Sequence, residues 1–247
     1  MYTTDLILLS NQMALERSVD IIANNIANSS TTGFKREGIL FDSYVKQAAG
    51  AQGGGTSYVY DRATYRDTSA GVISHTGNPL DLAIQGNGYF EIQTPQGVQY
   101  TRDGAFRADN QGQIVTSTGL PVLDSSGQPI TLPADARDIT VSSDGFVTVQ
   151  SGIGSNRTQL AQIGLVTFAD DGQVASAGHG LLTTTQTPTP STDGSIVQGA
   201  IENSNVNSIK EITDLIQIQR AYEQSTNMIG NDNARLDNAI NILSQTA

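Results

Sequence analysis

The sequence predicts an α+β protein in which paired, coiled-coil-like terminal helices flank a mainly antiparallel β domain. Three observations predict it. Apolar residues recur at heptad-like spacing near both ends, and residues 80–182 alternate apolar and polar between turn signals. The stretch ANNIANSSTTGF at 23–34 replaces the first periodic run with asparagine, serine, threonine and glycine, residue types that stop a helix and turn the chain.

In the N-terminal segment Leu8, Leu15, Val19, Ile22 and Ile26 follow at spacings of seven, four, three and four. That is a narrow seam suited to helix pairing, not the broad face of a globular core helix. Residues 35–79 come next and include the glycine-rich AAGAQGGGTSYVYDRATYRD. No sustained period runs through them, so they read as an extended linker or extended strand.

The body begins at LDLAI, residues 80–84, which has period two before Gly86-Asn87-Gly88 turns the chain. Residues 89–93 are bounded by Thr94-Pro95-Gln96-Gly97, and residues 98–102 run into Asp103-Gly104, a tight-hairpin dipeptide repeated at Asp144-Gly145 and Asp171-Gly172. DNQGQIVTSTG, DSSGQPITLP, SSDGFVTVQ and ADDGQVASAG share a polar or acidic turn, a glycine and a short β-branched run. Repeated hairpins follow from that echo. TTTQTPTPSTDG then reads as an exposed loop closing the body.

The clearest period is C-terminal, where Leu215, Tyr222, Ile229, Leu236 and Leu243 recur every seven residues. Ile218, Ser225, Asp232 and Ala239 interleave with them, so one seam is apolar and its companion half polar. The helix is expected to open after Asn205 or Asn207, where Asn or Ser caps exposed N–H groups, and to run on the order of 50–60 Å. The expected divisions are 1–34 and 204–247 as the helices of one domain, 35–79 as the linker and 80–203 as the β-rich body.

Composition narrows function. The chain has 247 residues, 37% apolar and 15% charged, with 13 Lys+Arg against 24 Asp+Glu for a formal charge of −11. That sign opposes binding to phosphate backbones and to anionic membranes, so neither nucleic acid nor membrane insertion is expected. Cysteine is absent, which removes disulfides, thiolate metal sites and cysteine nucleophiles. No apolar run approaches the roughly 18 residues of a spanning helix. The first basic residue is Arg17 and the run Leu6 to Leu9 breaks at Ser10, so export by a cleaved signal is not expected.

Catalytic signals are missing as well. The two histidines, His75 and His179, stand in unrelated polar contexts, and neither a G-x-S-x-G elbow nor an H-E-x-x-H motif is present. GNGYFE at 86–91 lacks the third glycine of a dinucleotide fingerprint and leads into a strand. ADNQGQ and ADDGQ lack the alternating ligands of a calcium loop and read as hairpin turns. No catalytic residue, cofactor site or metal site is expected. Two other classes remain open: a β-barrel enzyme, favoured by a pocket of convergent ionisable groups, and a chaperone-like binding module, favoured by a stable monomer with ordered termini.

MALERSVDIIANNIANSSTTGFKRE, TGNPLDLAIQGNGYF, YTRDGAFRADNQGQIVTSTGLPVL and NSNVNSIKEITDLIQIQRAYE resemble the bacterial flagellar rod and hook protein family, in the family's order. The resemblance spans both terminal segments and most of the body. It implies an axial structural subunit whose terminal helices pair and pack with neighbours into the inner tube of a hollow filament, with the β domain in an outer layer. The implied partners are other copies, neighbouring rod proteins and, during secretion, the flagellar export apparatus. The implied location is the basal-body rod in the periplasmic space. Subunit contacts would then fall on Leu8, Leu15, Val19, Ile22, Ile26, Leu215, Ile218, Tyr222, Ile229, Leu236 and Leu243. Asn28 to Gly33 would end the inner helix, and Phe34 would start the chain outward. Asn24, Asn25 and Asn28 would bond between subunits or face the channel, or serve only to end the helix.

Overall fold

The computed structural model describes residues 2–47, 55–151 and 157–245. The chain divides into two compact units. The first gathers Met1–Ala27, Glu37–Asp67 and Asn207–Ala247, and the second gathers Asn28–Arg36 and Thr68–Val206.

Two helices dominate the first unit. α1 spans Tyr2–Ala27 and α2 spans Ser208–Gln245. At 1.5 Å per residue these are about 39 and 57 Å long. Asn207 caps α2, its Oδ1 accepting from Lys210 N at 3.1 Å, while Asn205 serves elsewhere. The helices run antiparallel: Asn25 meets Glu211, and Gln12 meets Thr226. α1 also packs on a long hairpin in which Glu37–Gln47 pairs antiparallel with Gly55–Arg66. Ala14, Ile21 and Ile22 are buried here, along with the polar Asn25, Glu211 and Ser225.

α1 stops where the polar cluster begins. Thr31 N donates to Asn28 O at 3.1 Å and the Thr31 hydroxyl donates to Asn28 Oδ1 at 3.2 Å, folding the chain back on itself. Gly33 then adopts φ +68°, and a β-carbon there would lie 2.5 Å from the Arg102 carbonyl carbon. Only glycine fits that close approach.

The second unit is antiparallel β throughout its described pairings. Its largest sheet has six strands, in spatial order Ala175–Gly178, Leu181–Thr183, Gly97–Thr101, Tyr89–Thr94, Leu165–Thr167 and Thr189–Pro190. Ala136–Val141, Phe146–Ser151 and Arg157–Gln162 form a three-stranded sheet. Leu82–Gln85 pairs with Ser195–Gln198, and Ile73–His75 with Ala200–Glu202. The core joins these layers: Leu82, Ile84, Phe90, Ile92, Phe106, Ile114, Val122, Val147 and Val149 are all essentially inaccessible. Phe90 and Phe106 meet edge to face at 5.1 Å. Fully burying each such side chain contributes about 1.5–3 kcal/mol.

The sequence echo has a common geometry. At Asp109, Thr116, Asp124 and Ser142 a side-chain oxygen accepts from the N–H four residues on, at 2.8–3.1 Å. The residue three on is Gly112, Gly119, Gly127 or Gly145, each with φ between +77° and +85°. In each turn that glycine's N–H donates back to the first residue's carbonyl. The acidic oxygens at Asp109 and Asp124 thus satisfy backbone, which accounts for these loops without an ion.

Two turn expectations need correction. Asp171-Gly172 lies in a 3₁₀ turn, Asp171–Gln173, capped by Asp170, instead of a hairpin. Asp103-Gly104 is not a two-residue hairpin either. Gly104 keeps an ordinary φ, and its lack of a side chain serves a close approach to the Leu82 carbonyl, to which a β-carbon could not conform. Gly86-Asn87-Gly88 turns the chain as expected, between strands that pair in different sheets. The hairpin nearby has Pro95-Gln96 at its tip, with Thr94 opposite Gly97.

Candidate functional site

On the helices, the expected seam residues turn toward the interior of their own unit to differing degrees. Ile22 is buried, while Leu8, Leu15, Val19, Ile26, Leu215, Ile218 and Ile229 are half-buried and Tyr222 is exposed. The side chains of Leu236 and Leu243 lie outside the described residues. Ser225 is buried and its hydroxyl finds no partner among the described residues. Asp232, the next polar residue of the companion line, is half-buried.

Asn24 is exposed and Asn28 half-buried, whereas Asn25 is fully buried and its amide is engaged within the unit. Its Nδ2 donates to Glu37 O at 2.8 Å and to Glu211 Oε2 at 3.2 Å, and its Oδ1 accepts from Glu37 N at 2.9 Å. The amide group pairs with Glu37 as a neighbouring strand would, fixing where the hairpin starts. Periodicity of apolar residues had no way to single out this polar anchor.

A different stripe stays outside. Ile209, Ile212 and Ile216 recur at i, i+3 and i+7 on one face of α2 and are exposed, as are Leu9 and Met13 at i and i+4 on α1. Met228 and Ile242 are exposed further along α2, and Leu40, Phe41 and Tyr65 on the hairpin. Among the described residues the second unit exposes only Val72 and Val98 as large apolar side chains.

The second unit buries an ionic cluster that the sequence analysis missed. Glu202 is 1% exposed, and its Oε1 accepts from Lys35 Nζ at 2.6 Å and from Gly71 N at 2.8 Å. Its Oε2 accepts from Arg102 Nε at 2.9 Å. Arg102 also donates to the carbonyls of Gly86 and Gly88, both at 3.0 Å, and Lys35 to Ser69 O at 2.6 Å. Burial pushes the Glu202 carboxyl up, but Arg102, Lys35 and the Gly71 N–H together outweigh it and hold the group below the usual carboxylate range.

Lys35 and Arg102 also border a cleft of about 330 Å³ with Asn87, Tyr89, Asp171 and Asp193. The Arg102 guanidinium lies 5.9 Å from the Tyr89 ring centroid, and the Tyr89 hydroxyl donates to Asp171 Oδ1 at 3.4 Å. Neither histidine lines the cleft; both are exposed. Among the described residues no group of three or more His, Asp or Glu side chains is placed to hold a metal ion. No described helix is long and apolar enough to cross a membrane.

Three segments match known families in chain order. Residues 6–35 match the flagella basal body rod protein, residues 83–149 the flagellar hook protein FlgE/F/G D1 domain, and residues 197–242 the flagellar basal body rod FlgEFG protein C-terminal segment. Lys35, Arg102 and Glu202 fall one in each. Together these matches define the class: a flagellar axial protein. The chain is 42% identical to the flagellar basal-body rod protein FlgF of Caulobacter vibrioides over 227 residues, 90% of each chain. It is 37% identical to FlgF of Mesorhizobium japonicum over 95% of each. Against FlgG of the same Caulobacter strain, identity is 38% over 89% of this chain and 91% of that one. The protein belongs to the flagellar basal-body rod protein family.

Proposed function

We propose that this chain is a structural subunit of the flagellar rod of the FlgF type. It assembles with copies of itself and with neighbouring rod proteins through its terminal segments, residues 1–34 and 204–247. The observation that carries this reading is the distribution of exposed apolar surface, gathered on the helical unit at Leu9, Met13, Ile209, Ile212, Ile216 and Met228. Contiguous exposed apolar stripes mark surfaces that other chains cover. The half-buried Leu8, Leu15, Val19, Ile26, Leu215, Ile218 and Ile229 flank those stripes and gain further burial from the neighbours, in coiled-coil fashion. Asn24 and Asn28 supply polar contacts between subunits. Identity to FlgF exceeds identity to FlgG within one organism, which favours the FlgF assignment.

The role is mechanical and the chain is not an enzyme; its buried ionisable cluster is internally paired and its histidines stand apart. It works in the periplasmic rod, reached through the flagellar export apparatus. The double substitution Ile212→Asp with Ile216→Asp tests this. It buries unpaired charge at each interface, at several kcal/mol apiece. The expected result is a folded, exported protein and cells without complete rods. Normal rods in that strain would overturn the assignment of α2.

A further inference from the structure

We propose that Glu202, Lys35, Arg102 and Asn205 form one cooperative clasp, which docks segments 33–36, 69–71 and 202–205 onto the β unit together and opens as a single element ahead of the β core. The proposal concerns the folded subunit alone and does not rest on how it assembles.

Every pair of the three segments is bonded directly. Segment 33–36 meets segment 202–205 through Lys35 and Gly33, whose N–H donates to Glu202 O at 2.7 Å. Arg36 N adds a bond to Asn205 Oδ1 at 2.7 Å. Segment 33–36 meets segment 69–71 through Lys35 Nζ and Ser69 O. Segment 69–71 meets segment 202–205 through Gly71 N to Glu202 and through Asn205 Nδ2, which lies 3.1 Å from both Ser69 O and Ser69 Oγ. Arg102 ties the closed triangle to the body.

The adhesive is almost wholly polar. Among the described residues of 28–36 only Lys35 is buried, none is buried in 68–74, and Ala200 and Glu202 are the buried residues of 199–206. Polar networks of this kind are favourable only when complete, because a half-satisfied one strands a desolvated charge. Lys35 and Arg102 share one carboxylate, so losing either side of the triangle leaves buried charge on the others. Opening is therefore all or none. It is also separable from the apolar core that starts at Leu82, which is held by burial instead. Three of the four points at which the chain passes between the units, 36/37, 67/68 and 206/207, lie within two residues of Arg36, Ser69 or Asn205.

Amide hydrogen exchange on the full-length chain tests this, comparing wild type, Glu202→Gln and Lys35→Met. Peptides covering 28–36, 68–74 and 199–206 are read against peptides covering 114–132 and 141–149. Each substitution is expected to lower protection in all three junction segments by a similar factor, at least about tenfold, and in wild type the three junction segments are expected to be less protected than the core peptides. Loss confined to the substituted segment would overturn cooperativity. Wild-type junction segments as well protected as the core peptides would overturn separability, and no loss at all on substitution would overturn the clasp. Should Lys35→Met fail to fold, Glu202→Gln carries the same comparison, since it keeps the shape while removing the charge and one acceptor oxygen.

Discussion

Replacing Arg102 with leucine removes the guanidinium that joins the β body to Glu202. Arg102 is 6% exposed, and the substitution deletes its 2.9 Å bond to Glu202 and its two 3.0 Å bonds to the carbonyls of Gly88 and Gly86. Breaking a buried ion pair costs about 3–5 kcal/mol. Lys35 remains on Glu202 at 2.6 Å and the leucine refills part of the volume, so the lower figure applies to the pair. The Gly88 carbonyl is buried and loses its donor, adding about 1 kcal/mol, whereas Gly86 is exposed and water replaces what it loses. The sum is about 4 kcal/mol for the β unit, a fall in melting midpoint of roughly 8–16 °C for a chain of this size. The chain has no tryptophan, so circular dichroism of the purified protein is the assay, with urea titration as a second probe. Arg102→Lys keeps the charge but loses the planar fork and is expected to recover less than half of the difference. A melting midpoint for Arg102→Leu within about 2 °C of wild type would refute the reasoning.

Ser225→Ala should stabilise the helical unit by about 1 kcal/mol, because the buried hydroxyl has no partner among the described residues and pays its desolvation cost, and alanine is the better helix former. A lower urea midpoint would contradict it. Acid should act through Glu202. Its folded carboxyl sits below the ordinary value of 4.5, so its contribution is complete above that pH and is lost as pH falls through the lowered folded value. Asp103 runs the other way. Burial, helped by the charge of Asp81 and opposed by the Ala105 N–H, raises its carboxyl, so its protonation on acidification favours the fold slightly first. Urea midpoints measured from about pH 6 down to 3 should therefore hold or rise and then drop, with the drop much reduced in Glu202→Gln. An identical drop in both would refute the assignment.

Both terminal helices were legible because their apolar spacing runs unbroken over many turns, and the Asn207 cap stands where such residues belong. The turn echo was legible because one side-chain oxygen and one left-handed glycine suffice to define it. The hairpin within residues 35–79 was hidden for a definite reason. Its register shifts between Leu40 and Phe41, and a one-residue shift swaps the faces of a strand, so no alternation survives along its length. Asp103-Gly104 misled because glycine serves two needs, positive φ and close approach, and a dipeptide does not say which. On the candidate surface, heptad spacing found the half-buried seam but passed over the exposed stripe of Ile209, Ile212 and Ile216, which is three residues long and then turns polar. The Glu202 cluster was out of reach, since its members are separated by up to 167 residues and nothing local marks any of them as buried.

The central claim is that neighbouring subunits meet through the terminal helices. A photoreactive side chain placed one position at a time in live, motile cells measures this most directly, as Ile216→benzoylphenylalanine and, on the β unit, Val98→benzoylphenylalanine. Both native residues are exposed in the subunit, so reactivity reports what covers them on assembly. The account predicts light-dependent adducts of position 216 with a second copy or another rod protein in isolated basal bodies, and far weaker ones from position 98. Adducts from position 98 with none from position 216 would contradict it.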